Sequence, residues 1–226
     1  MITKRIKTGV PGLDSLLQGG FIQGSVYMLS GSTGTGKTIF CSQYLWEGLK
    51  RGEPCVYITL EEDPTDIKDD VMNFGWDFEK YEKKGLFRIL YHDPAQINNI
   101  GAVILSELGS LKARRLVLDS VSVMGLTIGD VSQVRRRLFG IVNTMKTHDG
   151  CTGIITTEIP EESKVLSRFG VAEYIVDGII VLNYLGIGEE YSRSLTIRKM
   201  RRTDHGKDVY PFEITDNGIV VKKPEV

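Results

Sequence analysis

Long hydrophobic runs are missing from this 226-residue sequence, and so is any surplus of charge. No stretch reaches the ~18 consecutive apolar residues that a membrane-spanning helix needs. The richest, from Ile175 to Leu185, is broken by Asp177, Gly178 and Asn183 and reads as a buried strand. Lys4, Arg5 and Lys7 near the start have no apolar core behind them, so no secretory signal is expected and the cytoplasm is the expected location. Lys and Arg number 28 against 29 Asp and Glu, a net charge of −1. That balance excludes a polyanion binder whose whole surface is basic, and with 41% hydrophobic residues it excludes a disordered chain. Cysteine is scarce: Cys41, Cys55 and Cys151 are scattered, odd in number and without C-x-x-C spacing. Neither a disulfide framework nor a zinc site follows from them, and buried, reduced thiols are expected. His92, His148 and His205 are equally dispersed, so a cluster of imidazole ligands is not expected.

Glycine is abundant instead, at 25 residues against an average share of ~7%, which points to tight turns and close backbone approach. Short apolar runs alternate with helical patterns through the first three quarters, the signature of an α/β protein with a parallel sheet. Strands are predicted over 25–29, 55–60, 86–91, 115–119 and 153–157, with helices over 37–50, 64–74, 97–112 and 131–147 between them. After Tyr174 strands follow in close succession, over 174–184, 191–200, 209–214 and 219–222. Turn residues such as Gly186 to Gly188 and Asp216 to Gly218 join them. A mostly parallel central sheet with helices on both faces and a C-terminal antiparallel extension is the simplest account. Neither linker nor repeat is evident, so one domain over residues 1–226 is expected.

Residues Gly31, Ser32, Thr33, Gly34, Thr35, Gly36, Lys37 and Thr38 fit G-x-x-x-x-G-K-[ST] in full, between a predicted strand and a predicted helix. In such a loop glycines let the backbone turn its N–H groups onto phosphates, and the helix start adds the positive end of its dipole. Lys37 is placed to reach the β- and γ-phosphates, and Thr38 to coordinate Mg²⁺ through its hydroxyl. With Ile39 these residues form the candidate ATP-contacting stretch. The second metal contact needs an acid at the end of another apolar strand, and Leu116 to Asp119 supplies it. Glu61 and Glu62 close the second strand, whose end lies on the P-loop side of a parallel sheet. They are candidates to orient water for hydrolysis, Glu61 first. Thr156, Thr157 and Glu158 end the fifth strand and offer a hydroxyl that could sense the γ-phosphate.

These residues resemble the KaiC-like branch of the RecA-type recombinase superfamily over nearly the whole chain. The opening Thr8 to Asp14, Gly19 and Gly20, the tandem Glu61 and Glu62 followed by Pro64, and Phe74 to Trp76 are similar to that family's pattern. Most specific is the tail, with Lys199, Met200, Arg201, Thr203, His205, Tyr210 to Phe212, Thr215 and Asp216 at matching spacing. The resemblance implies a RecA-type P-loop fold and a ring, typically a hexamer, with ATP between subunits. Lys199 and Arg201 would then act in trans on the neighbour's γ-phosphate, with Met200 beside them. Thr203, His205, Thr215 and Asp216 would lie on the other side of the nucleotide. Family members with two tandem domains phosphorylate an adjacent Ser and Thr; the matching positions here are Glu173 and Tyr174, so hydrolysis without self-phosphorylation is expected.

The resemblance therefore implies a ring ATPase with a regulatory output and an unidentified protein partner. The competing reading is a recombinase paralogue that modulates single-stranded DNA. Its candidate pore loop, Ile159 to Val171, mixes Lys164 and Arg168 with Glu161 and Glu162 and lacks aromatics interleaved with basic residues. Arg135 to Arg137 on a helix stand ~100° apart and so make no single patch. Any DNA binding is expected to be weak. A small-molecule kinase is disfavoured, because no arginine-rich lid is evident.

Overall fold

The apolar runs pair into one nine-stranded sheet, seen in a computed structural model that describes residues 3–148, 150–160, 163, 165–184 and 193–222. A separate two-stranded ladder, β1 (Arg5–Ile6) with β2 (Phe21–Ile22), brackets a short helix α1 (Leu13–Leu16). Strands β3 (Val26–Gly31), β4 (Cys55–Thr59), β5 (Phe87–Tyr91), β6 (Arg115–Asp119), β7 (Thr152–Glu158) and β8 (Gly178–Tyr184) are mutually parallel. Strands β9 (Arg193–Met200), β10 (Val209–Thr215) and β11 (Gly218–Val221) continue antiparallel from β8. The order across the sheet is β11-β10-β9-β8-β3-β7-β6-β4-β5. This is the expected α/β architecture of RecA type.

Both faces of the parallel half are covered, which is why its strands read as continuous apolar runs rather than alternating ones. Tyr27, Leu29, Tyr57 and Val117 face helices α2 (Lys37–Lys50), α3 (Pro64–Met72) and α4 (Phe78–Lys83). Val26, Met28, Val56, Ile58, Leu116 and Leu118 face α5 (Ile100–Leu111) and α7 (Val131–Thr147), with the short α6 (Met124–Thr127) before the latter. The helix expected over 97–112 is preceded by a 3₁₀ segment from Pro94 to Asn99, because Asp93 accepts from Ala95 N at 2.8 Å and starts the turn early. The strand expected from Tyr174 begins at Gly178, since residues 172–174 form a 3₁₀ turn. Helix α4 was not expected; Asp77 caps it by accepting from Lys80 N at 2.9 Å.

The N-terminal lead-in is clamped to the sheet's antiparallel edge. A Cβ at Gly12 would lie 2.2 Å from Val221 O, and its φ of +86° is a left-handed conformation that glycine adopts freely. Gln43 of α2 is buried and ties three segments, donating to Gly9 O at 2.9 Å and Ile219 O at 3.0 Å while accepting from Ile219 N at 2.7 Å. Cys41, Cys55 and Cys151 are buried free thiols, as expected. Burial pushes all three thiols well up, Cys151 to about 12, so all three stay protonated. The turn residues Gly186 to Gly188 lie outside the described residues, whereas Asp216 and Asn217 form the expected two-residue loop between β10 and β11.

Candidate active site

Parallel strands deliver their C-terminal ends to one side of a sheet, where open α/β folds bind ligands. Here that side carries a cavity of about 420 Å³ lined by the loop after β3, the ends of β4, β6 and β7, and Phe74, Arg193 and Ile214. Gly34 and Gly36 have φ of +75° and +96°, and the space beside Gly34 is open to 4 Å. The loop thus has the conformation in which successive N–H groups converge on an anion. Thr35 Oγ1 donates to Ser32 O at 2.9 Å and holds that curve. Lys37 Nζ lies back on the loop, donating to Gly31 O at 3.0 Å and Ser32 O at 2.9 Å.

Asp119 stands at the end of β6, and Thr38 Oγ1 donates to its Oδ2 at 3.4 Å. Tyr57 OH donates to the same oxygen at 2.6 Å, and Thr156 Oγ1 donates to Oδ1. The carboxylate is therefore aimed by two side chains from neighbouring strands, neither of which sequence reading assigned that task. Thr156 is engaged with Asp119, and Thr157 Oγ1 shares a hydrogen bond with Ser122 Oγ at 3.3 Å and accepts from Arg168 N at 3.3 Å. Both threonines are buried, so neither hydroxyl faces the cavity as a phosphate sensor; Glu158 does line it.

Glu61 and Glu62 both reach the cavity. Ser120 Oγ donates to Glu61 Oε1 at 2.9 Å, and Thr59 anchors the turn by donating to Glu62 O at 2.9 Å and accepting from Glu62 N at 3.0 Å. Burial pushes both carboxyls above the ordinary value, with Asp119 as a nearby like charge adding to the effect. Arg193, at the start of β9, also lines the cavity and was missed from sequence. Its Nη1 donates to Gly34 O at 2.6 Å, and its guanidinium lies 4.3 Å from the Tyr184 ring centroid.

The tail residues divide between the two ends of the sheet. Thr215 and Asp216 stand at the cavity end, next to Ile214, with Thr215 Oγ1 donating to Gly218 O at 2.9 Å. Lys199, Met200 and Arg201 stand at the other end, because β9 runs antiparallel: Met200 pairs with Gly178, which pairs with Tyr27. Four residues of strand, roughly 13 Å, separate that level from Gly31. Lys199 Nζ donates to Glu173 O at 2.8 Å and Val176 O at 2.7 Å, and Arg201 Nη1 lies 3.8 Å from Asp177 Oδ1. Thr203 accepts from Arg5 Nη1 and Nη2 at 3.2 Å, and His205 Nδ1 lies 2.7 Å from Gly206 O. None of these reaches the cavity of its own chain. Arg135 to Arg137 also diverge as the helical spread required: Arg135 lies over the Tyr174 ring at 5.8 Å, and Arg137 Nη1 donates to Asn98 O at 3.2 Å.

A family profile described as "ATPase: KaiC" matches residues 6–226. The chain belongs to the KaiC family. A KaiC-like protein of Pyrococcus horikoshii, solved as a crystal structure, is 41% identical and superposes with a TM-score of 0.87, covering 98% of this chain and 100% of that one. A UPF0273 protein of the same organism is 37% identical over 247 residues, spanning 100% of this chain and 96% of its own length. The circadian clock oscillator protein KaiC of Synechococcus elongatus is 38% identical over 226 residues, but this chain spans only 43% of its length.

The side chains at the cavity suit the nucleotide and metal that a KaiC-family ATPase domain implies. Thr38 and Asp119 offer oxygen donors only, the preference of Mg²⁺. Glu61, Glu62, Asp70, Asp119 and Glu158 outnumber Lys37 and Arg193. A polyphosphate added to that surplus of negative charge needs cations from elsewhere. A divalent metal would supply part of that charge.

Proposed function

We propose that this protein is a Mg²⁺-dependent ATPase built from a single KaiC-like domain over residues 1–226. It works in the cytoplasm as a homo-oligomer, a hexameric ring, with ATP held between neighbouring subunits. The observation that carries this reading is the separation just described: an acid-rich P-loop cavity at one end of the sheet, with Lys199 and Arg201 turned away from it at the other. In a head-to-tail ring each subunit offers its cations to the next subunit's phosphates.

On this reading the glycine loop from Gly31 to Gly36 cradles the phosphates with Lys37, Thr38 and Ile39, and Arg193 adds a charge from the same chain. Thr38 and Asp119 would hold Mg²⁺, which would supply positive charge to the phosphates. Glu61, steadied by Ser120, orients the attacking water, and Glu62 supports the acid side of the cavity. Arg201 and Lys199 of a neighbour stabilise charge on the transferring phosphoryl, with Met200, Thr203 and His205 around them. Thr215 and Asp216 belong to the P-loop end and contact the nucleotide from its own chain. Hydrolysis feeds a conformational output toward a protein partner.

Among the described residues nothing in the geometry favours the single-stranded-DNA reading. Arg168 of the candidate pore loop is paired with Glu158 at 3.4 Å, while Glu161, Glu162 and Lys164 lie outside the described residues. The deciding assay measures phosphate release with and without Mg²⁺ and single-stranded DNA. Turnover should need Mg²⁺ and ignore DNA. The Glu61→Gln and Glu62→Gln variants should bind nucleotide with reduced turnover, and unchanged turnover in the double variant would overturn the assignment.

A further inference from the structure

We propose that Asp177, the buried carboxylate at the foot of β8, is a positioning residue that aims Arg201 at the phosphates held by a neighbouring copy. The inference rests on the shared-site reading above. Asp177 is only 6% exposed and is fixed to the first residue of β3: its N–H donates to Val26 O at 2.8 Å and its Oδ2 accepts from Val26 N at 3.0 Å. The same carboxylate meets Lys146 of α7, whose Nζ lies 2.8 Å from Oδ1 and 2.7 Å from Oδ2. Arg201 Nη1 approaches Oδ1 to 3.8 Å from the open side. The main chain joins them as well, Arg201 N donating to Asp177 O at 2.8 Å. A further guanidinium nitrogen, Nη2, donates to Tyr174 O at 3.4 Å. Arg201 is thus tethered at two points while its side chain stays 49% exposed.

Lys146 alone completes the pairing that a buried structural carboxylate requires. Arg201 brings a second, half-exposed cation to the same group, and Lys199 adds a third charge nearby, its ammonium engaged by the carbonyls of Glu173 and Val176. The remaining local acid, Glu173, accepts from Ser167 Oγ at 2.9 Å. The cluster is left with more cations than carboxylates, and its exposed member is Arg201. An untethered arginine samples many rotamers, whereas one held at both nitrogens presents its fork in a fixed direction, the pre-organisation that charge stabilisation of a transferring group depends on.

The test is a double-mutant cycle in two readouts: equilibrium affinity for a fluorescent non-hydrolysable ATP analogue, and turnover of ATP. Asp177→Asn keeps an acceptor for Val26 N–H and removes the charge. Arg201→Ala and Asp177→Asn should each weaken analogue binding about five-fold and lower turnover, and the double variant should be no worse than Arg201→Ala. Should Asp177→Asn fail to fold, Asp177→Glu carries the same cycle, since it keeps the charge for Lys146 and displaces the carboxylate by one methylene. Losses that multiply in the double variant would show that Asp177 acts independently of Arg201 and overturn the positioning role alone. Arg201→Ala indistinguishable from wild type in both readouts would overturn the shared-site reading and the positioning role with it.

Discussion

Where the parallel strands end, Glu61, Glu62, Asp119 and Glu158 crowd around a glycine loop; where the antiparallel strand β9 ends, Lys146, Lys199 and Arg201 gather around Asp177. The same sheet carries both regions. Their contrast follows from strand direction: the parallel strands bring their C-terminal ends to one edge of the sheet, whereas the reversal between β8 and β9 carries residues 199–201 to the opposite edge. A cation placed there serves no phosphate in its own chain. On the proposed shared site, the antiparallel extension is an arm directed at another molecule.

The contrast breaks most sharply if the two ends are disabled separately. Arg201→Ala should lower turnover by about 10³, the low end of what an arginine supplied from outside contributes, while leaving the P-loop cavity intact. Lys37→Ala should abolish turnover from the other side by removing the cation that reaches the phosphates. Mixing the two variants with demonstrated subunit exchange should restore activity, because some interfaces then join an intact cavity to an intact Arg201. Mixtures that never exceed the sum of the separate activities would show that the two ends do not work together across chains.

Next in size is the seam that joins the two regions. Gly12 meets Val221 O where any Cβ would clash, at a positive φ. Gly12→Ala should therefore destabilise the fold by about 2 kcal/mol, combining backbone strain with overpacking. A denaturant titration checks this, and a change under ~0.5 kcal/mol would mean that the lead-in and β11 separate easily.

Much of this arrangement was legible in the residues. The strand from Arg115 to Asp119 and the helix from Val131 to Thr147 were placed to the residue. In the first, an apolar run ends in an acid; in the second, Asp130 caps the start by accepting from Ser132 N at 2.8 Å. That the loop from Gly31 to Thr38 and the acids at 61, 62 and 119 meet at one cavity was legible, because their spacing and strand-end positions bring them to one edge of the sheet. Arg193 was not, since its partner is a backbone carbonyl 159 positions away. Tyr57 and Thr156 read as strand residues, and only the parallel pairing brings them to Asp119. The division of the tail was hidden for a related reason. Residues 199–205 and 215–216 sit close in sequence, but one strand reversal sends them to opposite ends of the sheet.

Arg193 offers a smaller probe of the comparison, as a residue of β9 that lines the acidic cavity. Arg193→Ala should weaken nucleotide binding by about ten-fold, the value of one charge-assisted contact, and should not be rescued by mixing with Lys37→Ala, since both act within one chain. Rescue in that mixture would place Arg193 with Arg201 as a group acting between chains.

The smallest expected effect concerns the cost of keeping acids together. Burial raises the Glu61 carboxyl above its ordinary 4.5, Asp119 and Glu158 push it the same way, and the Ser120 hydrogen bond opposes them. The folded chain therefore holds this proton more tightly than the unfolded chain does. Between the two titrations the native state binds more protons, so this group's contribution falls as pH rises and the penalty is fully developed at neutral pH. Glu61→Gln keeps an acceptor for Ser120 and removes that penalty. In nucleotide-free, metal-free protein its melting point should exceed that of wild type at pH 7 by an amount equivalent to less than ~1 kcal/mol, since solvent screens a half-buried carboxylate. The gain should shrink as the pH is lowered through the carboxylate range. Turnover moves oppositely, because orienting water needs the ionised form. A Gln variant no more stable than wild type at pH 7 would mean that the acids at the cavity end coexist without strain, and the electrostatic contrast between the two ends would lose its energetic content.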